Sequence, residues 1–297
     1  MTNAARAQPL ILQPIAPVAR SITFRIRRAE AAADGLRALA AELDVGCGIA
    51  GVGAPLVLAV GKDIPGLSTF PALSGAGCVV PSTQDALWIR LSGGDRGIVF
   101  DAARSVRKAL AEAFEPSDTL DTFKYHGGRD LTRFEDGTEN PQGDEAVAAA
   151  IVADGALAGS SFVAVQRWVH DLARFESFGK AKCDAVIGRS AETNDELDDA
   201  PESAHVKRTA QESFEPPAFM IRRSMPWAGA YEEGLEFVSF VASLDAFERM
   251  MRRMAGLEDG IVDALFTFSR AVTGGYYWCP PVQGGKLDLS ALLDARR

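Results

Sequence analysis

From Ser21, the run SITFRIRR places Ile22, Phe24 and Ile26 on one face and polar side chains on the other, the period of a half-buried strand. The period then changes. EAAADGLRALAAEL, residues 30–43, carries Leu36, Leu39, Ala40 and Leu43 at steps of three and four, which predicts an amphipathic helix despite Gly35. PLVLAVG (55–61) and DALWIRLSG (85–93) read as strands, and FDAARSVRKALAEAF (100–114) as a second helix. The first half therefore predicts β-α-β-β-α.

The same order returns after residue 150. SFVAVQRWV (161–169) reads as a strand, DLARFESFGKAKCDAVIG (171–188) as a helix, AFMIRRS (218–224) and LEFVSFVAS (235–243) as strands, and LDAFERMMRRMAG (244–256) as a helix. A further helical stretch, DGIVDALFTFSRAV (259–272), lies outside this plan, and GGYYWCPP (274–281) reads as a strand entering a turn. One plan used twice suits a split β-α-β unit in each half, with helices on one side of each sheet and the two sheets packed face to face. The repeat is architectural, without close residue-level similarity. A connection of about thirty residues, roughly 187–216, interrupts the second unit where about 4–6 is usual, and long connections of this kind tend to be functional or disordered.

Composition narrows the class. Hydrophobic residues make up 47% and charged residues 24% of 297, an ordinary globular balance. Its net charge of −9 discourages nonspecific binding to nucleic acid or to anionic membrane, so both are set aside. Cys47, Cys78, Cys183 and Cys279 lie far apart without a CxxC pair, so free thiols are expected. The amino-terminal stretch is broken by Pro9, Pro14 and Pro17 and never reaches 18 apolar residues; it reads as an ordered arm of a cytoplasmic protein.

Candidate chemistry is sparse. RFEDGTENP (133–141) combines an Asp-Gly turn signal with an Asn-Pro stop, so it is either a solvated turn or a tight turn holding Asp136 at a reaction centre. His126 sits in a glycine-rich loop and reads as solvent-facing. His170 precedes Asp171 at a strand end, a helix-capping neighbourhood, and His205 lies in the long connection just before Lys207 and Arg208. These three give no zincin and no triad signature. VGCGIAGVG (45–53) leads into a strand rather than opening a helix, which argues against a phosphate loop. The acidic run at 195–202 lacks the turn glycine of a calcium loop and reads as a solvated face.

Four stretches, RDLTRFEDGTENP, APESAHVKRT, IRRSMPWAG and GLEDGIVDALFTFSRAVTG, occur in one order on a doubled ferredoxin-like plan. Over nearly the whole chain this resembles the dye-decolourising peroxidases, specifically their compact bacterial B-type group. The resemblance implies an α+β fold of the dimeric α+β barrel type, with antiparallel sheets face to face and helices outside. Residues 1–145 would form the half carrying the distal Asp-Gly turn, and 146–297 the half binding one haem b per chain. His205 matches the proximal ligand to the haem iron, and Asp263 the carboxylate that orients its imidazole. Asp136 matches the distal aspartate and Arg222 the distal arginine, with Ser224 at a small polar position. Arg208 would pair with a haem propionate. One position departs from the family pattern: Arg133 stands where a glycine usually begins the distal motif, and a glycine there would serve a positive φ or a close backbone approach.

The implied reaction is reduction of hydrogen peroxide and one-electron oxidation of small phenolic or dye-type reductants through a ferryl intermediate. A short carboxylate can relay the proton between the peroxide oxygens. An arginine stays charged and stabilises negative charge on the departing oxygen. The alternative is a haem-binding or haem-handling protein with little turnover, which needs His205 but no distal pair. Bulky reductants could reach a buried centre through surface aromatics, although most of the tryptophans and tyrosines read as core. A homo-oligomer is expected by resemblance. The tail LDLSALLDARR shows no long flexible extension of the kind that targets relatives into protein shells.

Overall fold

The computed structural model describes residues 3–293; the last four residues of the tail lie outside these. Its first half contains β1 (Val18–Ile26), α1 (Ala32–Glu42), β2 (Gly48–Val52), α2 (Ala54–Ala59), β3 (Leu87–Gly93), α3 (Arg96–Leu110) and β4 (Phe114–Phe123). After α4 (Gly143–Ala150), the second half contains β5 (Ser161–His170), α5 (Leu172–Ser177), α6 (Lys180–Ile187), α7 (His205–Thr209), β6 (Ile221–Arg222), β7 (Met225–Ala228), β8 (Glu233–Val241), α8 (Leu244–Met254), β9 (Ser269–Ala271) and β10 (Gly275–Cys279).

Strand order is β4-β1-β3-β2 in the first half and β10-β5-β8-β6 in the second, the order of a ferredoxin-like split β-α-β unit, and the pairs are antiparallel. Period-two alternation decides what each face meets. Leu87, Ile89 and Leu91 of β3 share a core with Leu36 and Leu39 of α1 and with Val99, Ala103 and Val106 of α3. Trp88, pointing the other way, packs with Val163, Val238, Phe240 and Tyr277 of the second half. Each such side chain, fully buried, contributes roughly 1.5–3 kcal/mol. Two sheets thus lie face to face with helices outside, as the doubled pattern predicts.

The sheets also join at their margins. Val52 of β2 pairs with Trp278 of β10, and at the other margin the Thr122 hydroxyl donates to Met225 Sδ at 3.8 Å. A Cβ at Gly51 would stand 2.7 Å from Tyr277 Cβ, so only glycine permits this seam. The glycine-rich stretch is therefore a buried strand, not a ligand loop.

Several expected elements differ. PLVLAVG is helical in α2 rather than a strand, because a short apolar run fits either state and Pro55 suits the first turn of a helix. The second strand is β2 instead. Strand β4 was not foreseen: apart from Phe114 and Thr122 its side chains are only partly buried or exposed, so it shows no alternation. The helix expected over 171–188 is divided at Gly179, whose φ is +75°. The helix expected over 259–272 is a short 3-10 turn, Ala264–Thr267, followed by β9, because the Asp263 side chain accepts from Leu265 N and caps the turn. AFMIRRS is interrupted at Arg223 and Ser224, where the Ser224 hydroxyl replaces a strand carbonyl and accepts from Val238 N at 3.4 Å.

All four cysteines are free thiols. Among the described residues, no helix is long and apolar enough to cross a membrane.

Candidate active site

The long connection supplies one side of the site. Residue His205 begins α7, and its Nδ1 lies 2.8 Å from Asp263 Oδ2. Asp263's side chain is fully buried, and its other oxygen accepts from Leu265 N at 2.8 Å. The carboxylate therefore has a partner on each oxygen, and the imidazole keeps Nε2 free of any hydrogen bond with the described residues. Gly188 makes this approach possible: it ends α6 at φ +91°, and a Cβ there would meet Val206 Cγ2 at 2.4 Å.

A second group of candidate residues lines a cavity of about 430 Å³, Asp136, Arg222 and Ser224 among them. This falls within the usual 300–1,000 Å³ of small-molecule sites. His205 is not among its lining residues. Asp136 sits in the turn between β4 and α4, and its carboxylate makes no hydrogen bond with the described residues. Arg222 comes from the short strand β6. Its backbone is clamped by Asn140, which donates to Arg222 O at 3.1 Å and accepts from Arg222 N at 2.8 Å. Among the described residues its guanidinium makes no ion pair, and Nε is buried without a partner.

Lys124, Arg129, Arg222 and Arg223 surround this cavity, a basic concentration on an acidic chain, and Arg129 pairs with Glu135 at 2.8 Å. Burial, reinforced by Arg90, pulls the Arg223 guanidinium down to about 10, so it remains a cation at neutral pH. Both sides are tied together by Gln211, whose amide donates to Glu139 O and accepts from Met220 N, each at 2.8 Å. Arg189 adds a bridge from the long connection to Glu139 at 2.7 Å.

Arg208, expected to pair with a propionate, is engaged by protein groups. Its two terminal nitrogens grip Asp259 at 2.8 Å each, and one also donates to Arg253 O. That leaves Nε alone without a partner. The same ion pair holds the Asp259 carboxyl below its usual range. Local sequence showed the charge but not that a carboxylate four residues before Asp263 would claim it.

Arg133 keeps the backbone conformation that a glycine would take, with φ +75°. Left-handed backbone costs a non-glycine residue roughly 1–2 kcal/mol. Its amide donates to Asp130 O at 2.8 Å, its carbonyl accepts from Arg129 at 2.6 Å, and Phe134 O accepts from Asp130 N at 2.9 Å. These bonds hold the strained residue in place.

Sequence reasoning missed Asn140, Gln211 and a second histidine pair. His170 is not a capping residue. Asp171 caps α5 by accepting from Arg174 N, whereas His170 is buried between Ser269 and Asp130. Burial by itself would raise the Asp130 carboxyl, but the hydrogen bond and charge of His170 and the bonds from Thr132 hold it below its usual range. A polar side chain on a strand otherwise buried at that end was the available signal.

Comparison with known proteins bears on this geometry. Residues 127–284 match the model of the C-terminal domain of Dyp-type peroxidases, a span that contains Asp136, the long connection with His205, Arg222 and Asp263. The chain belongs to the Dyp-type peroxidase family. It is 32% identical over 224 residues to a dye-decolorizing peroxidase of Mycobacterium tuberculosis, covering 73% of this chain and 67% of that one. Alignments to two further curated relatives span 63% and 65% of their lengths. Among solved structures, a dye-decolorizing protein from Vibrio cholerae superposes with a TM-score of 0.84 at 29% identity, covering 94% of this chain and 97% of that chain. A variant of DypB from Rhodococcus jostii in complex with heme superposes with a TM-score of 0.81 at 26% identity, covering 91% and 94%. These Dyp-type relatives agree with the α+β architecture built above.

Proposed function

We propose that this chain is a haem-dependent peroxidase that reduces hydrogen peroxide and oxidises small phenolic or dye-type molecules by one-electron steps, working in the cytoplasm as a homo-oligomer. The observation that carries the reading is the placement of Asp136 and Arg222 on one cavity with neither side chain bonded to the described residues. Arg222 Nε is buried without a partner among the described residues, which is costly unless something that enters satisfies it, and the partly exposed Asp136 lines the same cavity. The residues also fit the cofactor. Asp263 holds His205 Nδ1 at 2.8 Å and leaves Nε2 without a bond to the described residues, the arrangement of a single imidazole ligand to a metal that carries its own ligand frame. Haem is such a frame, as in the Rhodococcus relative.

Haem bound here would supply the iron that takes up peroxide and the two oxidising equivalents passed to reductants. His205 would hold that iron through Nε2. Asp263 accepts the Nδ1 proton, which fixes the ring and makes the imidazole a stronger donor. Asp136 is the proposed proton carrier between the peroxide oxygens, and Arg222 the fixed cation that stabilises negative charge on the departing one. Ser224 adds a hydroxyl to the same wall. The basic lining excludes competing cations and favours an anion forming within it.

Reconstitution with hemin followed by stopped-flow mixing with peroxide tests this. Wild type should show a Soret band that shifts on peroxide addition. Asp136→Ala or Arg222→Ala should slow that shift by about 10²–10³-fold with the resting band retained. Unchanged rates in both variants would instead favour a haem carrier with little turnover, and no band in wild type would end the haem reading.

A further inference from the structure

We propose that His170 is a positioning residue for the turn that carries Asp136, acting through Asp130. His170 stands at the end of β5, which pairs with β8, β9 and β10 and so belongs to a rigid part of the second half. Its Nε2 lies 3.2 Å from Asp130 Oδ1 and its Nδ1 lies 2.7 Å from Ser269 Oγ. The imidazole is 4% exposed and the Asp130 side chain 14%, so water competes little for these bonds. Asp130 then closes the next four residues: Oδ2 accepts from Thr132 N at 2.9 Å and Thr132 Oγ1 at 2.5 Å, and its backbone bonds both Arg133 N and Phe134 O. Phe134 is buried beside Phe175, which packs on Phe268, and Phe268 in turn lies 5.8 Å from His170. Arg133, the strained residue, sits inside this closed loop, and Asp136 follows two residues after Phe134.

The tie survives a change in the charge of His170. Ser269 Oγ can donate to Nδ1 of a neutral ring, or accept from Nδ1–H and turn its own proton to Val169 O at 3.4 Å. Asp130 keeps a donor at Nε2 in both arrangements. A device that holds in both states is suited to fixing position rather than to switching. The proposal rests on Asp136 being the proton carrier argued above.

The experiment combines hydrogen exchange with peroxide kinetics on the haem-loaded protein. His170→Leu should raise amide exchange over residues 130–137 and lower the rate constant with peroxide, each by about ten-fold or more, while the Soret band and the reductant KM stay unchanged. His170→Gln keeps an N–H donor to Asp130 and should stay within about three-fold of wild type. Adding Arg133→Gly to His170→Leu should recover most of the rate, because glycine holds a φ of +75° without help. Asp130→Asn carries the same test if His170→Leu does not fold. Unchanged exchange, an unchanged peroxide rate, or no recovery with Arg133→Gly overturns the proposal. An unaffected rate in Asp136→Ala defeats the underlying reading instead, and exchange then judges the anchor alone.

Discussion

His205 and its neighbours contrast with the cavity that holds Asp136. On the His205 side, Asp263 has a partner on each oxygen and Arg208 has both terminal nitrogens engaged, so little is left to respond to a small molecule. On the Asp136 side, a carboxylate and a guanidinium share a cavity while Asn140 clamps the Arg222 backbone and Asp136 N donates to Gly128 O at 3.3 Å. On the function proposed above, one side would hold and the other would react. On the proposed roles, the backbones are restrained while both side chains stay free of bonds to the described residues, which would keep them placed without lowering their reactivity.

This contrast can be broken most directly at His205. His205→Ala should abolish the Soret band after reconstitution and with it all peroxidase turnover; a retained band with unchanged intensity would remove the holding side from the account. Next comes the proposed reacting side, where Arg222→Ala should reduce peroxide turnover about 10²–10³-fold yet shift the thermal midpoint little, because its side chain bonds to none of the described residues. A large loss of stability would show that the guanidinium is structural. Asp263→Ala should do the reverse, weakening haem retention about 10–100-fold through the loosened imidazole, measured by transfer of haem to an apoprotein acceptor.

Asn140→Ala should be milder, costing about 1–3 kcal/mol in denaturant unfolding from two lost bonds to the Arg222 backbone, with a smaller fall in rate than Arg222→Ala. The smallest effect belongs to a group outside both sides. Burial raises the pKa of Glu236, between the sheets, partly offset by Arg90. A raised folded pKa stabilises below the unfolded value and turns costly as pH rises through the folded one. Glu236→Gln should therefore raise the thermal midpoint more at pH 8 than at pH 5; equal shifts would refute the sign. Asp130, whose folded pKa is lowered, runs the other way, contributing above its ordinary pKa of 3.8 and losing that contribution as pH falls through the folded value.

Much of the architecture was legible because burial on one face writes a period into the chain. Strand β1 and helices α1, α3 and α8 carry that signature, while β3, β5 and β8 read as strands from runs rich in apolar, β-branched and aromatic residues. Other elements were misread: α2 is too short for its period to tell, β2 is buried on both faces by small residues, and β4 is mostly polar. Site chemistry was legible as residue types. Asp136, Arg222 and His205 could be singled out, and Arg133 marked as a position where geometry mattered.

By itself the sequence determined the doubled plan, the acidic surface and the residues capable of acid, cationic and metal-ligating chemistry, since these follow from side-chain identity and near-neighbour spacing. Tertiary structure alone decided the partners. Nothing local joins His205 to Asp263 across 58 positions, Asn140 to Arg222 across 82, or His170 to Asp130 across 40. Hydrogen bonding depends on distances of about 3 Å, and only the folded sheets and the long connection bring such remote residues that close.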